Sequence, residues 1–543
     1  MRRLVLAALL AATSLSTAHA GDILIHGGPI HTGVDASPTA QAVLIRNDKI
    51  LFVGDLAVAK AKAAKDARDI DLKGAAAYPG FVDAHAHLMG VGLRELTLNL
   101  DQTQSLAELV ATVKAYAAAH PEGAIFGRGW IETHWPEKRF PTKADLDAAA
   151  PGRVVVLERA DGHASVASSA ALAKAGVTAA TADPAGGKIL KGADGQPDGM
   201  LIDHAQGLVE HVIPPPGEAL KREAVRKAGA LYAARGWTGL DNMSVMADDL
   251  ALMRDEAAKG AFHIRVDNYM DPSGAAEVLA KGPQVDATGL IRVRGIKLYM
   301  DGALGSRGAA LLEPYSDAEG LGLQLTPRDK GLALMKQAKA VGAQVAMHAI
   351  GDRGNRMTLD WFEESLAGDT KARWRIEHAQ IVADTDVPRF AKLGVVASMQ
   401  PSHAIGDLYF APARLGQARL HEGYRWNDFL KAGVVVAAGS DAPVEVGDPR
   451  IEFYAAVYRH SLTGFANDDW HLEEAVSRAE ALKMLTLAPA YAVFREKELG
   501  TLEAGKKADL TAFSKDLMTI EPKEILTAEP VLTVVGGKVV FER

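Results

Sequence analysis

The 543-residue sequence contains no cysteine, and that absence excludes a disulfide framework, a thiolate nucleophile, an iron–sulfur cluster and a cysteine-ligated zinc. An excess of positive charge is lacking too. Lys and Arg number 60 against 68 Asp and Glu, net −8, so the chain carries no basic footprint for nucleic acid. No G-x-G-x-x-G follows a strand-like run, which argues against a dinucleotide-binding fold. Beyond the first twenty residues no apolar run is long enough to span a membrane. What is present, 48% hydrophobic and 24% charged residues, is the balance of a globular protein rather than a disordered or collagen-like one. Any bound metal must be held by carboxylates and by some of the 17 histidines.

The opening MRRLVLAALLAATSLSTAHA combines a basic start (Arg2, Arg3), an apolar stretch over 4–15 and the A-x-A site Ala18-His19-Ala20. The apolar stretch is shorter than the roughly 20 residues of a spanning helix. Residues 1–20 are therefore expected to be a cleaved signal peptide, and the protein to be exported, periplasmic or secreted. Export permits disulfides; without cysteine the fold must close on burial alone.

Both ends of the remaining chain have a strand-and-turn texture. ILIHGGPIHTG and AVLIRNDKILFVGD at the start, and DLTAFS with VLTVVGGKVVFER at the finish, predict one β-sandwich domain built from 21–75 plus 490–543. The middle alternates strand-length apolar runs (76–86, 236–244, 263–270, 291–302, 342–351, 373–380, 394–402 and 433–441) with helix-like stretches such as DKGLALMKQAKAVG. Gly260, Gly342, Gly394 and Gly433 stand where left-handed helix caps are expected. Eight such units over 76–489 predict a (β/α)8 TIM barrel in the α/β class. The span 89–235 is too long for one crossover and predicts an inserted subdomain over one barrel face.

His85 and His87, in FVDAHAHL, are two apart on a predicted strand and share a face. Alone that spacing is a weak signal, and a lone strand-end histidine is more often structural than a ligand. But His348 ends QVAMHAIGD, His378 ends RWRIEHAQ, Asp441 ends VVVAAGSDAP and Lys297 lies in RGIKLYMDG. All fall at the C-terminal ends of predicted strands, the rim where TIM-barrel chemistry is assembled. Four imidazoles and a carboxylate suit Zn²⁺ or a related divalent ion.

PGFVDAHAHL resembles the opening of the amidohydrolase superfamily barrel. IKLYMDGALGSRGAALLEPYSD, MHAIGDR, RIEHAQ, AAGSDAPVE, DGHASVASSAALAKAGV and GTLEAGKKADLTAF resemble its YtcJ-like branch (amidohydrolase family 3), in order along nearly the whole chain. The resemblance implies a metal-dependent hydrolase of non-peptide C–N bonds in a small molecule, acting through metal-activated hydroxide. His85, His87 and Asp441 would hold one ion, and His348 and His378 a second. Lys297 would bridge the two as a carbamate, with Asp301 the nearest alternative. Asp441 would also be the catalytic base. His163, Arg307, Gln400 and His403 are candidate substrate contacts, and Trp130 and Trp135 candidate pocket walls, although buried core aromatics are the commoner case. Ser168 and Ser169 stand where many relatives have Asn, which bears on substrate contacts from the insert. The same barrel also serves metal-dependent deaminases, lactonases and phosphotriesterase-like hydrolases, and non-catalytic homologues that lack the ligands.

Overall fold

The computed structural model describes residues 21–101, 103–467 and 470–543; the expected leader at 1–20 lies outside them. Eight parallel strands wind through the middle of the chain: β1 Phe81–Ala86, β2 Trp237–Val245, β3 Arg265–Met270, β4 Ile291–Tyr299, β5 Gln344–Ala349, β6 Arg375–His378, β7 Val396–Met399 and β8 Val436–Ala438. Each pairs in parallel with the next. The ring closes just past β8, where Asp441 donates its N–H to His85 O and His87 donates to Ala442 O. Asp83 reinforces this closure. Its buried carboxylate accepts from Ser440 N and Oγ and from the Tyr232 hydroxyl. This is a nearly closed (β/α)8 barrel.

The strands are buried along nearly their whole length, polar residues included, because a parallel sheet wrapped by helices is covered on both faces. β3 and β5 are buried at every position. Helices such as Ala247–Ala258, Arg328–Ala340 and Asp352–Leu366 fill the crossovers. The expected glycine stops are present: Gly394, at φ +66°, caps Val387–Leu393, and a Cβ there would sit 2.0 Å from Thr370 O.

The expected strand at 76–86 is two strands. Ala76–Pro79 leaves the barrel and pairs with Leu510–Phe513, and Gly80 separates it from β1. That pairing joins the chain ends: strands from 22–79 and 510–542 form a single eight-stranded hydrogen-bonded sheet. The buried Arg265–Asp509 pair, bonded twice at 2.7 and 2.9 Å, ties this sheet to β3.

Between β1 and β2 the chain builds a separate six-stranded sheet with its own apolar core around Leu109, Leu146, Leu157 and Met200. The helix Glu218–Arg235 falls inside the span read as insert, but it packs against helix Leu88–Arg94 and feeds directly into β2. Trp130 and Trp135 are core residues of the insert and not pocket walls. Both are fully buried, and their indole N–H groups donate to Leu157 O and Thr103 O. Among the described residues no helix is long and apolar enough to cross a membrane.

Candidate metal centre

The C-terminal ends of five strands deliver the predicted ligand set to one point. His85 is the penultimate residue of β1 and His87 follows the strand; Lys297 lies on β4, His348 on β5, His378 on β6, and Asp441 three residues beyond β8. His85, Lys297, His348, His378 and Asp441 are buried, and His87 is part-exposed. Asp441 Oδ1 lies 3.4 Å from His85 Nε2 and 3.2 Å from His87 Nε2. The His378 ring packs 4.5 Å from His348 and 4.7 Å from His85, centroid to centroid. Lys297 Nζ is 3.3 Å from His85 Nε2, over the Tyr299 ring. His378 and Asp441 both have positive φ, +74° and +58°, a conformation that non-glycine residues keep only where the surroundings enforce it.

Each imidazole is held from behind through one nitrogen. His85 Nδ1 donates to Glu377 Oε2 at 2.5 Å, His87 Nδ1 to Met243 O at 3.2 Å, and His378 Nδ1 to Gln400 Oε1 at 2.8 Å. His348 turns Nε2 toward Gly302 O at 3.5 Å. The other nitrogen of each ring keeps its lone pair for a ligand, the arrangement metal-binding histidines adopt. Burial is the chief reason that the rings of His85, His348 and His378 are neutral. It pushes His85 down to about 4, with Lys297 adding to the effect, and holds His348 and His378 well below the usual imidazole range. Burial likewise lowers Lys297 to about 8. For Asp441 burial acts upward, but the imidazoles of His85, His87 and His378 outweigh it and keep the carboxyl well below its ordinary value.

The donor set fits a divalent cation. His85, His87 and Asp441 each bring one ligand atom within 4.8 Å of the others, as do His378, His403 and Asp441. Asp441 Oδ1 is buried without a hydrogen-bond partner, which is costly unless a cation meets it. His348 closes against His378 but joins neither trio. Asp301 is not placed to substitute for Lys297: its carboxylate accepts from the backbone of Ala310, Ile350 and Gly351 at 2.8–2.9 Å and fastens the loop beyond β4.

Three residues beneath the rim were not singled out from sequence. Arg375, fully buried on β6, bonds Glu377 at 2.5 Å, Asp241 at 2.5 Å and Ser398 at 2.7 Å. Glu377 therefore stands between this guanidinium and His85. Although burial acts to raise it, Arg375 and His85 bring it down to about 2. Asp241 on the far side is pushed up to about 8 by burial. Arg375 thus sets one guanidinium charge directly against the Glu377 carboxylate.

Over the site lies a cavity of about 1020 Å³, walled on one side by the rim and on the other by insert residues including Arg128, Glu158, Asp161 and His163. The insert covers the metal-binding face. His163 lines the cavity with its Nδ1 donating to Asp203 at 2.6 Å and its ring 5.0 Å from His348. His403 also lines it. Its Nδ1 lies 3.0 Å from Gln380 Nε2, and its Nε2 has no partner. Gln400 is not in the cavity wall; it stands behind His378. Arg307 is not there either, because its guanidinium is paired with Asp317 at 2.9 and 3.2 Å. Ser168 caps helix Ser169–Ala175, and Ser169 bonds Asp147, both away from the cavity.

A model of the amidohydrolase family matches residues 68–541. The putative amidohydrolase YtcJ of Bacillus subtilis is 32% identical over 95% of this chain and 99% of its own. The N-substituted formamide deformylase of Arthrobacter pascens is 28% identical over 96% and 98%. Among solved structures, an uncharacterized metal-dependent hydrolase from Pyrococcus horikoshii superposes with a TM-score of 0.75 at 26% identity, covering 92% of this chain and 99% of that one. This chain belongs to the amidohydrolase family, in its YtcJ-like branch, and is a metal-dependent hydrolase.

Proposed function

We propose that the protein is an exported zinc hydrolase that cleaves the C–N bond of a small non-peptide amide. The observation that carries this reading is the meeting of lone pairs from His85, His87 and Asp441 at one buried point, with Lys297 beside it and His348 and His378 opposite. These residues would hold one or two divalent ions, zinc first among the candidates for nitrogen and oxygen ligands, with Lys297 as a carbamate bridge. When bound, such an ion supplies a Lewis acid and brings the pKa of a water from 15.7 toward about 7.

The chain's own groups do the rest. Asp441 is ionised and buried, with one oxygen toward His85 and His87 and the other toward His378 and His403. It takes a proton from the attacking water as the new O–C bond forms. It then returns that proton to the leaving nitrogen as the C–N bond breaks. The insert walls the cavity over the rim, and His85, His348 and His378, kept neutral by burial, cost no repulsion against a cation. The resemblance to an N-substituted formamide deformylase over nearly the full chain supports an amide or formamide substrate. The leader-like opening supports a substrate met outside the cytoplasm.

The test is a hydrolysis screen of the zinc-loaded protein across N-acyl amino acids, N-substituted formamides, lactones, phosphotriesters and amino-heterocycles. Turnover of amides, abolished by chelation and restored by zinc, is expected. A zinc-replete protein that turns over only lactones, phosphotriesters or amino-heterocycles would overturn the amide reading.

A further inference from the structure

His403 sits on the helix Pro401–Asp407 just beyond β7, buried and facing the cavity. Its Nδ1 is 3.0 Å from Gln380 Nε2, and the same amide nitrogen is 3.3 Å from Asp407 Oδ2. Asp407 Oδ2 also accepts the Tyr424 hydroxyl. These contacts set the direction of every bond in the chain. An amide NH2 can donate to a carboxylate, whereas a flipped Gln380 would turn its carbonyl oxygen against that carboxylate. With one hydrogen given to Asp407, the NH2 gives the other to the imidazole, so Nδ1 must be the accepting nitrogen. The proton of the neutral ring is then on Nε2.

That nitrogen is buried without a partner. Its nearest carboxylate oxygen, Asp441 Oδ2, is 3.7 Å away, too far for a hydrogen bond. An unsatisfied buried donor on a residue that lines a cavity points to an acceptor on whatever enters it. The ring lies stacked on His378 at 5.9 Å and 16°, beside the carboxylate assigned to move the proton.

We infer that His403 is a fixed N–H donor to the oxygen of the carbonyl under attack, its tautomer set by Gln380 and Asp407, and that it is not a metal ligand. His403 touches the reacting oxygen; Gln380 and Asp407 are positioning residues. The ligand class is one that presents an acceptor oxygen and gains negative charge there. This deepens the hydrolase reading and rests on it, and it separates His403 from the geometric trio it forms with His378 and Asp441. A ligating ring would need its lone pair on Nε2, and Gln380 has left a proton there.

The tautomer is tested by nitrogen-15 NMR of the zinc-loaded protein labelled at the histidine rings, with the His403 signal assigned through His403→Gln. A proton on Nε2 and an accepting Nδ1 are expected; a protonated Nδ1 with Nε2 on zinc overturns the assignment. Zinc per chain in His403→Phe should equal that of the unaltered protein, and loss of one equivalent overturns it. For the carbonyl compound turned over best in the screen, His403→Phe should lower kcat about 10²–10³-fold with KM within about twofold. His403→Gln, which keeps an N–H donor, should recover part of that loss. Gln380→Met, which frees the ring, should fall between. A kcat changed less than about threefold by His403→Phe overturns the donor role. If lactones alone are turned over, the amide reading fails while the His403 test proceeds on the lactone. If no carbonyl compound is turned over, both fall.

Discussion

Replacing Glu377 by Gln tests whether the metal centre is supported from inside the barrel. The carboxylate is fully buried between Arg375 Nε, at 2.5 Å, and His85 Nδ1, at 2.5 Å. The amide keeps the shape and one acceptor but removes the charge from both bonds, and charge-assisted bonds are about twice as strong as neutral ones. Arg375 retains Asp241 and Ser398, so the variant should fold, less stable by about 1.5–3 kcal/mol. Removing a carboxylate behind a ligand histidine weakens metal binding about 10–100-fold, or about 1.4–2.7 kcal/mol. A competition titration of zinc against a chelator reads this directly.

The acid limb of stability gives an independent check in the metal-stripped protein. Folding lowers Glu377 from 4.5 to about 2. Its contribution is therefore complete above pH 4.5 and disappears as pH falls toward 2, worth on the order of 3 kcal/mol. The unaltered protein should lose that much between pH 5 and pH 2 in denaturant titrations, and Glu377→Gln should lose correspondingly less. Zinc affinity within twofold of the unaltered protein, together with an identical acid limb, would refute the reasoning.

Lys297→Ala should remove half the bound zinc and most of the turnover, measured by metal analysis and initial rates; unchanged metal content would sink the two-ion reading and favour a single-metal deaminase type. Gly394→Ala must place a Cβ 2.0 Å from Thr370 O at φ +66°, and should cost about 1–3 kcal/mol in denaturant unfolding. Asp509→Ala strands Arg265 at the seam between the barrel and the terminal sheet, and should cost about 3–5 kcal/mol; a loss below about 1 kcal/mol would show that the seam is held by apolar packing alone.

The candidate ligands were legible in the sequence because each stands at the end of a strand-length run, and a strand end fixes which rim a residue occupies. His85 with His87, His348, His378 and Asp441 required only that rule. The groups that hold them were not legible. Arg375 and Glu377 resemble surface charge until the period of two is applied: with Ile376 between them, both point to one face, which in a closed barrel is the interior. Their partner Asp241 lies 134 positions away, and only ring closure brings it near. Arg307 and Gln400 misled for the converse reason. Each has the chemistry of a pocket residue, but Asp317 and His378 had already claimed it, while Trp130 and Trp135 are the buried aromatics that such residues more commonly are. Gln380 and Asp407 were missed because neither is unusual alone; what matters is that both reach His403.

The balance of charge bears on Lys297. Beneath the rim Arg375 cancels Glu377, and Asp241, pushed up to about 8, adds nothing at neutral pH. At the rim His85, His348 and His378 are kept neutral by burial, and Asp441 is the single carboxylate among the candidate ligands. Two divalent ions would bring four positive charges to that point, and an ammonium on Lys297 would add a fifth in a setting where the charges are poorly screened. Burial already works against that ammonium, bringing the group to about 8, and among the described residues no carboxylate forms an ion pair with it. The neutral amine is the form that adds CO2, and the product exchanges a cation for a bidentate anion. A two-ion centre in this barrel therefore needs the modification on electrostatic grounds, and a single-ion centre does not. For that reason the metal content of Lys297→Ala discriminates between them.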